Sequence, residues 1–122
     1  MIRYLYSCLL LCLCSLSIVQ AEPVLDAKQA FQQGYYEQAM LHWQAVLNTT
    51  TLTTNNRLEA QRNIARLYRY LGLYHKARSV LNTALPVAQQ TGDSTDHAQL
   101  LNESSKLLMS QGTKKREQAL QQ

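Results

Sequence analysis

Three of the chain's four glycines, Gly34, Gly72 and Gly112, stand 38 and 40 residues apart. Each comes after a stretch with helical apolar periodicity. Glycine reaches the left-handed backbone conformation that closes a helix and lets the chain reverse. A period of this length belongs to arrays of helical hairpins, in which no hairpin buries its apolar face alone and each leans on the next. The spacing therefore predicts an all-α chain of about six helices in three antiparallel pairs.

The units are read as residues 23–48, 57–90 and 94–122. In the second, Leu58, Ile64, Leu67, Tyr68 and Leu71 fall on one helical face before Gly72. Ala77, Val80, Leu81, Ala84 and Leu85 form the matching face of its second helix, with Pro86 set to end or kink it. In the first unit, Ala27, Ala30 and Phe31 are expected to face Ala39, Trp43, Val46 and Leu47 across Gly34. The Thr- and Asn-rich run 48–56 is a poor helix former, and Asn55 or Asn56 is the expected cap of the next helix. In the third unit, Asp93 or Ser94 caps a helix with Leu100, Leu101, Leu107 and Leu108 as core. Gly112 is expected to break that helix and leave a short polar segment, with only Ala119 and Leu120 apolar, as a terminal cap.

These positions resemble the tetratricopeptide repeat family. Ile64-Ala65-x-x-Tyr68, Gly72-x-Tyr74-x-x-Ala77 and Leu81-x-x-Ala84-Leu85 match its small, aromatic and apolar positions. Gly34-x-Tyr36-x-x-Ala39-x-x-x-Trp43-x-x-Val46-Leu47 matches its second half. The first helix of unit one departs, with Ala30 where the family prefers Tyr, and unit three carries Glu117 where the family has Ala. The resemblance implies a short right-handed superhelical solenoid with a concave face lined by the first helix of each pair.

The N-terminus is of another character. Arg3 supplies a positive start, Leu5–Val19 is apolar, and Glu22-Pro23 turns the chain polar. Residues 1–21 read as a secretory signal peptide, leaving 22–122 as the repeat domain, periplasmic or secreted; an uncleaved N-terminal membrane anchor is the alternative. All three cysteines, Cys8, Cys12 and Cys14, lie in this segment. The remaining chain thus has no disulfide, thiolate nucleophile or Cys-held metal. Without Arg3 the charged residues number 11 basic and 8 acidic, a net of +3. For an exported protein that mild excess favours acidic protein or peptide partners over nucleic acid, the alternative being that it only keeps the protein soluble. No stable membrane insertion is expected after cleavage.

The family resemblance implies that the residue six before each glycine points into the groove. Here those are Lys28, Arg66 and Lys106, all basic. Arg62 and Asn102 lie one turn earlier, Arg69 one turn after Arg66, and Asn63 beside them. Together these seven form the candidate partner-binding set, a basic groove able to hold carboxylates by charge-assisted hydrogen bonds. The alternative is an ordinary solvated helix face. Tyr35 and Tyr70 are candidate contact residues; Trp43, Tyr36, Tyr68 and Tyr74 are expected in the core. His42, His75 and His97 stand singly, without metal-ligand spacing. No phosphate-binding Gly-rich loop or Gly-x-Ser-x-Gly frame occurs, so neither catalysis nor a cofactor is expected. The leading function is a protein-protein interaction module. Two alternatives remain: the regulatory repeat region of a peptidase-like enzyme without its catalytic domain, and a structural protein that self-associates.

Overall fold

A computed structural model describes residues 22–91 and 93–121; the signal-peptide reading lies outside them. The described residues form five helices and no strand: α1 (Glu22–Gln32), α2 (Tyr36–Leu47), α3 (Thr54–Tyr70), α4 (Tyr74–Thr91) and α5 (Ser94–Leu120). None of these helices is long and apolar enough to cross a membrane.

The first two glycines act as expected, and in the same way. Gly34 and Gly72 have φ of +81° and +73°. After each helix the N–H beyond the glycine reaches back five residues, Tyr35 to the Ala30 carbonyl at 2.8 Å and Leu73 to the Tyr68 carbonyl at 2.7 Å. This is the long bond of a Schellman closure. The same residues then open the next helix, with the Ala39 N–H on the Tyr35 carbonyl and the Ala77 N–H on the Leu73 carbonyl. Hairpins α1–α2 and α3–α4 therefore share one turn, 38 residues apart.

Gly112 does not break the chain. Helix α5 runs through it for 27 residues, so the third unit is one long helix and the described helices number five. An apolar residue after the glycine frequently accompanies such a reversal. Tyr35 and Leu73 supply one, whereas Gly112 and Thr113 precede Lys114-Lys115-Arg116, three residues that prolong a helix well. Pro86 also lies inside a helix. It removes one N–H, but the Asn82 carbonyl it would have served is on an exposed residue within reach of water.

Caps set the other ends. The Thr53 side chain, not Asn55 or Asn56, accepts the Asn56 N–H at 3.3 Å, and α3 begins three residues before its expected start. Asp93 accepts the N–H groups of Thr95 and Asp96 at 2.9 and 3.3 Å and starts α5, as expected.

The core has two connected parts. Ala27, Ala30, Ala39, Trp43, Val46, Ile64 and Leu67 join α1, α2 and α3. Leu58, Ala65, Ala77, Leu81, Ala84, Leu100 and Leu107 join α3, α4 and α5. Alanines at the crossings let backbones approach, and Trp43 is the bulkiest side chain buried between them. Helix α3 is the hub, packing on α2, α4 and α5. Three expected core positions are exposed instead: Leu71, Leu101 and Leu108. Leu71 lies in the turn, and the other two point away from α3 and α4.

Candidate functional site

The candidate residues lie on α1, α3 and α5, and the structure divides them by their partners. On α3, Arg62, Arg66 and Arg69 are spaced at four and three residues and so share a face. Arg69 Nε donates to Glu103 Oε1 of α5 at 2.7 Å, and Arg66 Nε stands 3.5 Å from Glu103 Oε2. Glu103 is 2% exposed. A carboxylate removed from water this completely needs cationic partners, and these two arginines are its counter-ions. They fasten α5 to α3. Each also lies over a ring, Arg66 over Phe31 at 5.8 Å and Arg69 over Tyr70 at 4.9 Å from the ring centres. Phe31, Tyr36 and Tyr70 form a triangle of rings 5.3–5.5 Å apart that ties the first hairpin to the end of α3. Arg69 is therefore a structural residue, and Arg66 is partly committed.

The open part of the site is a cleft of about 350 Å³ between α1 and α3, lined by Lys28, Phe31, Glu59, Arg62, Asn63 and Arg66, with Trp43 behind them. Lys28 Nζ is 3.0 Å from Glu59 Oε1. Asn63 bonds along its own helix, its amide donating to the Glu59 carbonyl at 2.9 Å. Arg62 differs from its neighbours: its Nε is buried and has no acceptor. Burial raises the Asp96 carboxyl above its ordinary value, with Asp93 and, more weakly, Glu59 adding to the rise and Arg62 drawing it back. Asp96 at the start of α5 thus belongs to the same electrostatic neighbourhood.

Three cations and one carboxylate line the cleft, and the Lys28–Glu59 pair, with Lys28 half-exposed, is worth about 1 kcal/mol or less. An incoming anion can take its place. Asn102 and Lys106 are exposed on α5 and do not line this cleft. The structure thus brings together Lys28, Arg62, Asn63 and Arg66, uses Arg69 internally, and leaves Asn102 and Lys106 apart. Tyr35 and Tyr70 are exposed, as expected, and Phe31 reaches the cleft.

Sequence reasoning missed the acids. Glu103 occupies the position three after Leu100 and four before Leu107, on the buried face. An acid at an apolar register position signals a buried ion pair, and that signal was present. Glu59 stands three before Arg62 and four before Asn63, close enough to share their face. Among the described residues no group of three His, Cys, Asp or Glu side chains is placed to hold a metal.

The chain matches no family model, no curated protein and no solved structure.

Proposed function

We propose that the chain is an exported, tetratricopeptide-like interaction module that holds an acidic segment of a partner protein in the cleft between α1 and α3. The repeat reading is supported by the common turn at Gly34 and Gly72 and by the alanine-rich helix crossings. The binding reading rests on one observation: Lys28, Arg62 and Arg66 line the cleft with Glu59 as the one acid among its lining residues. A carboxylate entering the cleft can accept charge-assisted hydrogen bonds from the guanidinium of Arg62. Lys28 and Arg66 add attraction, and Phe31 offers an apolar contact beside them. Extended-peptide or helix-in-groove docking both suit a cleft between two helices. Asn102 and Lys106 would meet only a longer partner segment.

The test is selection of binding peptides from a random displayed library on the purified protein. Acidic peptides should be enriched, and the best of them should bind Arg62→Gln about ten- to a hundredfold more weakly, the loss of one charged hydrogen bond. Arg116→Gln, an exposed change elsewhere, should leave binding intact. Enrichment without acidic residues, or equal affinity for Arg62→Gln, would rule the reading out.

A further inference from the structure

Helix α5 carries a second surface, away from the cleft. Ala98, Leu101, Ser105, Leu108, Gly112, Lys115 and Ala119 succeed one another at alternating steps of three and four. That spacing draws a straight seam down one side of the helix. Leu101 and Leu108 are 47% and 63% exposed, and Met109 beside them 70%. The buried side of α5, marked by Leu100, Glu103 and Leu107, lies about a quarter-turn or more away, so nothing in the described chain covers the seam.

Every seventh residue of the seam is small: Ala98, Ser105, Gly112, Ala119. Ser105 presents no free hydroxyl donor, since its Oγ donates to the Leu101 carbonyl at 3.1 Å. Gly112 is unexplained by the chain itself. It has helical φ, and a Cβ there would meet nothing within 4 Å. A glycine in a helix interior lowers stability, and here neither a turn nor an internal contact requires it. Close approach by another backbone would.

We infer that a second copy of this chain docks on the seam, its α5 antiparallel to the first. The register is self-complementary. Reversing one helix sets Leu101 opposite the partner's Gly112 and Leu108 opposite the partner's Ser105, and the two-fold axis repeats both pairs, so each large residue meets a small one. Charge selects the same direction. Glu103 being buried against Arg66 and Arg69, residues 93–103 still carry Asp93 and Asp96 and no Lys or Arg, whereas residues 106–117 carry Lys106, Lys114, Lys115 and Arg116 against Glu117 alone. An antiparallel pair sets the acidic end of each helix beside the basic end of the other; a parallel pair sets the two basic ends together. From Leu101 to Gly112 the seam spans roughly 17 Å. The contact is therefore small and the dimer weak, with a dissociation constant of roughly ten to several hundred micromolar.

Sedimentation equilibrium of the purified protein, its N-terminus fixed by mass spectrometry, tests this between about 5 µM and 2 mM. The mass should rise from one copy towards two. Gly112→Leu, which has room in the monomer, and Leu108→Glu should each weaken the dimer at least tenfold with unchanged helicity. Leu41→Glu, which alters a leucine equally exposed on α2, should leave it within about twofold. A single-copy mass throughout, an unchanged Gly112→Leu dimer, or equal weakening by Leu41→Glu would each overturn the proposal.

Discussion

Glu103 is held by two guanidiniums on another helix while almost wholly removed from water. Removing one member of such a cluster strands the others. Glu103→Ala should therefore lower the free energy of unfolding by about 2–4 kcal/mol, less than for a sealed pair because Arg66 is about one-third exposed. Urea denaturation monitored by circular dichroism measures this, and a loss under about 0.5 kcal/mol would show that the cluster contributes little. Asp96 offers a smaller effect with a definite sign. Its carboxyl is raised above its ordinary value, chiefly by burial. The folded state therefore holds that proton to higher pH than the unfolded state does. Between the ordinary carboxylate value and the raised one, folding loses stability as pH increases. Asp96→Asn removes the dependence, so its stability relative to the parent should improve from about pH 3 to pH 6. Parallel denaturation curves at the two pH values decide it, and a gap that shrinks would contradict the assignment.

The three glycines that suggested three hairpins have different fates, and the cause lies in their neighbours. Gly34 and Gly72 sit at positive φ, while Gly112 is helical. Substitution should separate them by sign. Gly72→Ala strains a left-handed position and should cost about 1 kcal/mol or more, whereas Gly112→Ala should stabilise by about 0.5–1 kcal/mol. Thermal melts at low protein concentration compare them, and a shared sign would refute the distinction. The first four helices were legible because their apolar periodicity and their turn residues agree. The fifth was not, because its ending depends on the residues beyond the glycine: a return helix needs an apolar face, and Ala119 and Leu120 are too little to make one. The exposure of Leu101 and Leu108 was hidden for a related reason, since periodicity alone does not distinguish the face packed on α3 and α4 from a second apolar stripe. The basic side of the site was legible as residues spaced along α3. Its counter-ions were not, because Glu103 is 34 residues from Arg69 and only packing brings them together.

Taken whole, the molecule is organised around α3, which packs on α2, α4 and α5 and meets α1 through side chains. Local stability should mirror that order. Amide hydrogen exchange is expected to be slowest in the middle of α3, near Ala60, Ile64 and Leu67, and fastest in the exposed last turns of α5. Faster exchange in α3 than in α1 would contradict it. Helix contacts within the described residues join only neighbours and next-neighbours along the chain, and such local topologies fold quickly. The shared closure at Gly34 and Gly72 therefore also bears on the order of events in time. A chain delivered end-first, as by the ribosome, completes its first hairpin as soon as the turn at Gly34 and the helix behind it have emerged. That finished pair is a template on which α3 settles, and α3 in turn waits only for the next turn of the same design. The apolar face of each hairpin then stays open only until the next helix arrives to cover it.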